Sequence, residues 1–155
     1  MSDPSALPNS CQLRPACVDD SWQIRKLVLF AKLDPTQLRW SQFWVIECDQ
    51  TVVACGQLRS FENAQELGSL VVSRSWRGKG FGRLLTQHLI DIATQPLYLE
   101  CLGDRLFRFY AQFGFVLVNW DDLPDSLKRK FGLSKLATRI FRIPLHIMAY
   151  EPSLK

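Results

Sequence analysis

The sequence predicts an α/β domain on a mixed sheet, and three observations carry that prediction. Short apolar runs bounded by turn residues recur along the chain, as buried strands do. Between them, other segments repeat apolar residues at helical spacing. A length of 155 residues suits one sizeable core, and neither an internal repeat nor a second-domain linker interrupts it.

In chain order, residues 1–10 read as a disordered leader ahead of a single domain over 11–155. Leu13–Val18 is the first predicted strand. Asp19 or Asp20 then caps a helix whose apolar face takes in Trp22, Ile24, Leu27, Val28 and Ala31. A break with a short helical turn covers residues 33–38. Phe43–Cys48 and Thr51–Leu58 are strands joined by Asp49-Gln50, a two-residue hairpin candidate. Glu66–Val72 is the fourth strand and Gly80–Ala93 a helix, with Leu84, Leu85, His88, Leu89, Ile92 and Ala93 on its apolar face. Gln95-Pro96 ends that helix, and Leu97–Cys101 is the fifth strand. A helix from Asp104 to Gln112 stops at Gly114, and Phe115–Val118 is the sixth strand. Residues 121–142 form a polar, basic insertion with helical stretches, and Leu145–Tyr150 closes the sheet.

Composition narrows the function. The hydrophobic content of 47% and mean hydropathy of −0.04 are those of a globular protein, no apolar run is long enough for a membrane span, and the N-terminus lacks a signal-peptide pattern. A cytoplasmic protein without a membrane partner is expected. The net charge of +4 suits anionic ligands, yet no dense basic run with interleaved aromatics suggests nucleic acid. Five cysteines (11, 17, 48, 55 and 101) make no CxxC pair, and with His88 and His146 far apart no metal site is expected. Cys48, Cys55 and Cys101 lie in strand-like runs, where a buried reduced thiol acts as a small hydrophobe.

The most informative stretch runs from Leu67 to Leu85. After Leu70-Val71-Val72 come four turn-prone residues, then Arg77-Gly78-Lys79-Gly80-Phe81-Gly82 and Arg83 at the start of a helical segment. Glycines at a strand-to-helix junction let backbone N–H groups approach phosphate. The helix start adds unpaired donors and the positive end of its dipole. Arg77, Lys79 and Arg83 add charge, so the stretch reads as a pyrophosphate seat. A Walker A loop needs Ser or Thr after Gly-Lys, whereas Gly80 follows Lys79. A dinucleotide fingerprint spaces its glycines GxGxxG and places an acidic residue about 20 positions on, and neither condition is met.

The Arg-x-x-Gly-x-Gly pattern from Arg77 to Gly82 resembles the acyl-CoA loop of the GNAT (Gcn5-related N-acetyltransferase) superfamily. The element order β-α-βββ-α-β-α-ββ, from Leu13 to Tyr150, is that of the same family. Phe107–Phe115 resembles its Leu-Tyr-x-x-x-Gly-Phe segment, with Tyr110 in the tyrosine position. Glu66 lies eleven residues before Arg77, the spacing at which some members carry a catalytic glutamate. Gly103-Asp104 stands where many members carry an asparagine.

The resemblance implies a mostly antiparallel sheet of about seven strands with one splayed parallel pair, Glu66–Val72 and Leu97–Cys101. It implies an acetyl-CoA cosubstrate whose pantetheine arm pairs with backbone groups of Leu70 and Val72, Val71 contributing core. The Leu70 N–H would polarise the thioester carbonyl, and Arg77 to Arg83 would hold the pyrophosphate. Direct transfer to an amine then needs a base, Glu66 or Glu100, and an acid for the thiolate, Tyr110. Cys101 as an acyl-carrying nucleophile lacks a base partner. The acceptor is expected to be a small amine or amino acid, with a peptide or protein amine open. Trp120-Asp121-Asp122 would favour a cationic acceptor, and Lys128-Arg129-Lys130 with Lys135, Arg139 and Arg142 an anionic one or a solvated face. The chain is expected as a monomer or homodimer. The alternative is a GNAT-fold module that binds acyl-CoA without turnover.

Overall fold

The structure, a computed structural model, describes residues 6–142 and 144–152. Its strands are β1 (Cys11–Pro15), β2 (Phe43–Cys48), β3 (Thr51–Phe61), β4 (Ala64–Val72), β5 (Leu97–Leu102), β6 (Phe115–Leu117) and β7 (Leu145–Tyr150). The helices are α1 (Ser21–Phe30), α2 (Phe81–Ile92), α3 (Gly103–Ala111) and α4 (Asp125–Phe141). The sheet has seven strands in the order β1-β2-β3-β4-β5-β7-β6. Pairing is antiparallel for β1–β2, β2–β3, β5–β7 and β6–β7, and parallel for β4–β5. Among the described residues no helix is long and apolar enough to cross a membrane.

Two compact units divide the chain: one runs to Leu58 and includes Leu67–Ile92, the other joins Arg59–Glu66 to the residues from Ala93 on. In the first, the two-residue alternation of a strand sends neighbours to opposite faces. Val45 and Cys55 join Ile24 and Val28 of α1 in one core cluster. Ile46 and Ala54 join Phe81 and Leu85 of α2 in another. The β2–β3 turn is the expected two-residue hairpin: Asp49 and Gln50 both take positive φ, 48° and 64°, which suits the twist of the strands it joins.

Several local expectations fail for identifiable reasons. Trp22 is 72% exposed, because the buried stripe of α1 runs through Ile24 and Val28 and turns Trp22 outward. Asp20 stands at the N-cap of α1 but makes no capping bond there. Its carboxylate accepts from Arg14 Nη1 and Nη2 and from the Cys17 N–H, and the Arg14 hydrogen bonds hold its pKa down at about 2. Cys48 is not a free thiol. Cys11 lies opposite it in the β1–β2 register, and the two form a disulfide. Residues 1–5 of the expected leader lie outside the described residues. Leu7 packs against the α2-side cluster, and the Pro8 and Ser10 carbonyls accept from the Cys11 and Asp49 N–H groups.

In the second unit, the same alternation places Phe61 of β3, Ala64 of β4, Tyr98 of β5 and Ile147 of β7 in one cluster with Leu127 and Phe131 of α4. The basic insertion is therefore mostly one amphipathic helix, whose apolar side seals this cluster.

Candidate active site

The glycine loop follows β4 in the first unit. A single 3-10 turn, Arg74–Trp76, leads out of the strand. Gly78 and Gly80 then take φ of +77° and +83°, a region other residues occupy only at a cost. Gly78, Lys79 and Gly80 are exposed directly ahead of α2. The Lys79 ammonium lies 5.8 Å from the Trp76 ring centroid, and Trp76 stacks on Phe81. Phe81 itself is 3% exposed, so its ring is core and only its backbone faces the loop's task. Val71 is likewise buried, while Leu70 and Val72 are partly covered. Arg77 donates from Nε to the Val72 carbonyl at 3.1 Å, so one backbone acceptor expected for the pantetheine arm already has a partner. Arg74 and Arg77 line a cavity of about 380 Å³ with Leu27, Phe30, Ala31, Val71, Val72 and Ser73. An exposed glycine turn, a helix start and an arginine-edged cavity fit the phosphates of a CoA thioester.

Sequence reasoning missed a distortion within β4. Ser69 has φ +49°, which no ordinary strand residue adopts. Its hydroxyl donates to Gln57 Oε1 at 3.3 Å and its carbonyl accepts from the Cys55 thiol at 3.6 Å. Gln57, fully buried, donates in turn to the Gln37 carbonyl and Gln42 Oε1. The Gly68-Ser69 pair inside an apolar run was the available signal for a bulge.

Glu66 and Glu100 meet in the second unit. Parallel β4–β5 pairing is registered at Gln65 with Leu97 and Glu66 with Tyr98. Glu66 is 1% exposed, not a solvated strand end. Its Oε1 accepts from Arg59 Nη1 at 3.1 Å and from Lys130 Nζ of α4. Lys130 also lies 3.8 Å from Glu100 Oε1, which accepts from the Ser134 hydroxyl at 2.9 Å. Burial raises the Glu100 pKa above its ordinary value, with the Lys130 charge partly opposing the shift. Glu66 Oε2 and Glu100 Oε2 are buried without a hydrogen-bond partner among the described residues. The pattern Leu127, Lys130, Phe131, Ser134 was legible as one helix face, but the flanking charges disguised Lys130 as part of a solvated run.

Tyr110 is 7% exposed, and its ring packs against Phe109 and Phe115. Burial, reinforced by the nearby Cys101, pushes its hydroxyl pKa well above the ordinary value, so it stays protonated at neutral pH. Burial likewise pushes Cys101 up to about 11; its thiol, 4.0 Å from the Met148 sulfur, is a core thiol rather than a nucleophile. Asp121 and Asp122 sit in an exposed 3-10 turn, and Arg129, Arg139 and Arg142 are exposed. Among the described residues no group of three His, Cys, Asp or Glu side chains could hold a metal ion.

Comparison with known proteins places this arrangement. The acetyltransferase (GNAT) domain model matches residues 39–117, just over half of the chain, and the protein belongs to that family. The amino-acid acetyltransferase of Shewanella oneidensis is 32% identical over 103 residues, covering 64% of this chain and 23% of the relative. That of Escherichia coli K12 is 26% identical over 137 residues, covering 80% and 31%. The chain thus spans about a quarter to a third of the length of these curated relatives. N-acetylglutamate synthase from Neisseria gonorrhoeae, solved with coenzyme A and N-acetyl-glutamate, shares the fold with a TM-score of 0.74 at 22% identity, over 94% of this chain and 36% of that one. Rv2747 from Mycobacterium tuberculosis, solved in complex with CoA, gives 0.69 at 22% identity over 90% and 98%.

Proposed function

We propose that this chain is an acetyl-CoA-dependent N-acetyltransferase whose acceptor is a small amine or amino acid, with residues 11–155 as one catalytic domain. The single observation that carries the reading is the exposed turn with left-handed Gly78 and Gly80 between strand β4 and α2. Such a turn presents backbone donors where a side chain would block phosphate. The family match and the amino-acid acetyltransferase relatives support the reaction and the acceptor class.

In this reading the Arg77–Arg83 loop holds the pyrophosphate and the Leu70 N–H polarises the acetyl carbonyl. A protonated amine must lose a proton before it attacks. Glu66, held by two cations, is suited to orient the acceptor. Glu100, whose burial raises its proton affinity, is better matched to take the proton. Tyr110, kept protonated by burial, is suited to return one to the departing thiolate. Transfer is direct, since Cys101 is a poor thiolate source. A cytoplasmic setting belongs to the same proposal, and there the Cys11–Cys48 bridge would face reducing conditions.

The test is acetyl-CoA-dependent thiol release against a panel of amino acids, amines, polyamines and peptides. Acceptor-dependent release with an amino acid or small amine supports the reading. Tight acetyl-CoA binding with no acetylated product across the panel would favour the acyl-CoA-binding module instead.

A further inference from the structure

We propose that Lys130 is an internal acetyl acceptor, modified on Nζ from acetyl-CoA in the same chain when no external amine is present. The inference rests on the assignment of Glu66 and Glu100 above. Those are the carboxylates proposed to hold and deprotonate an acceptor amine, and a primary amine of the protein already occupies both. Lys130 Nζ donates to Glu66 Oε1 and stands 3.8 Å from Glu100 Oε1. The free oxygens Glu66 Oε2 and Glu100 Oε2 leave buried acceptor capacity beyond what Lys130 satisfies, a cost that an extra N–H donor would relieve.

Chemical reactivity alone would not choose this lysine. The Lys130 side chain is only 15% exposed and already engaged by Glu66 and Glu100. Lys135, on the same helix, is exposed beside the Trp120 ring, and Lys128 is partly exposed and donates to the Asp121 carbonyl. Uncatalysed acylation therefore marks the accessible lysines first, whereas a catalysed reaction marks Lys130.

The step balances without an added reactant. One ammonium proton passes to the Glu100 carboxylate and is later released to solvent. The nitrogen forms a bond to the acetyl carbon as the carbon–sulfur bond breaks. The second proton lost from nitrogen ends on the CoA thiolate, the transfer assigned above to Tyr110. The products are acetyl-Lys130, CoA thiol and one proton. Acetylation removes the charge shared by the two glutamates and leaves Glu66 with Arg59.

The experiment incubates the full chain with carbon-13-labelled acetyl-CoA, without acceptor, and follows each lysine by peptide mass spectrometry. Label on Lys130 should accrue at least tenfold faster than on Lys128 or Lys135. Excess CoA, which competes for the donor site without altering the protein, should slow it at least tenfold, as should Gly80→Val. No label on Lys130, label no faster than on its helix neighbours, or label indifferent to excess CoA would overturn the proposal. A chain that acetylates free amines but leaves Lys130 unlabelled removes this inference alone. A chain that neither binds acetyl-CoA by calorimetry nor modifies any amine removes the enzymatic reading with it.

Discussion

Replacing Glu66 by glutamine keeps the side chain's size and removes one negative charge from a group that is 1% exposed. Two cations lose one carboxylate partner: Arg59, 9% exposed at its side chain, and Lys130, 15% exposed. Removing one member of a buried ion pair costs about 3–5 kcal/mol, because the remaining charge stays desolvated. Glu100 recovers part of this through Lys130 at 3.8 Å, so the expected loss is at the lower end, about 3 kcal/mol. At roughly 2–4 °C per kcal/mol for a chain of this size, melting should fall by about 6–12 °C. Calorimetry or urea unfolding measures it directly. Adding Lys130→Met should return at least about 1 kcal/mol, since no desolvated ammonium then remains. A Glu66→Gln variant that melts within about 2 °C of the parent would refute the buried-cluster reasoning.

Four further outcomes are expected. Gly80→Val puts a β-branched residue at φ +83° and a side chain where phosphate must approach, so acetyl-CoA affinity by calorimetry should fall at least about tenfold. Tyr110→Phe keeps the packing on Phe109 and Phe115 and removes the proton, so kcat should fall by about 10²–10⁴ with CoA affinity unchanged; unchanged turnover with chemistry rate-limiting would make the hydroxyl structural. Glu100 has a folded pKa above its ordinary 4.5, so the folded state binds its proton more tightly and stability falls as pH rises through 4.5 toward the folded value. Glu100→Gln should therefore stabilise the protein at pH 7 relative to the parent and lose that advantage below pH 4.5, read by urea unfolding at both pH values. Reducing Cys11–Cys48, which spans 37 residues, should cost about 4 kcal/mol by the loop-entropy relation, and the thiol count should rise by two.

The fold and the exposed glycine turn were legible because both rest on local rules. Alternation in β2 and β3, the apolar stripe of α2 and the glycines after β4 each report on a few neighbouring residues. The Asp49-Gln50 hairpin could be read from its position between two strands despite lacking the usual glycine. What escaped depends on pairs distant in sequence. Arg59 and Lys130 lie 7 and 64 positions from Glu66, and only the sheet register and the docking of α4 bring them together. The Cys11–Cys48 bridge was missed for the same reason, being set by the register of β1 against β2. Trp22 and Asp20 failed more locally. Several apolar and acidic residues competed for the same roles in α1, and tertiary contacts with Arg14 and the sheet chose among them.

Acetyl transfer by direct attack is tested most directly by initial rates of CoA thiol release, with acetyl-CoA and an amino-acid acceptor both varied. A ternary complex predicts release that requires the acceptor, with reciprocal plots that intersect and the acetylated amino acid formed in equal amount. Parallel plots with a stoichiometric acetyl-enzyme burst, or release indifferent to every acceptor, would contradict it.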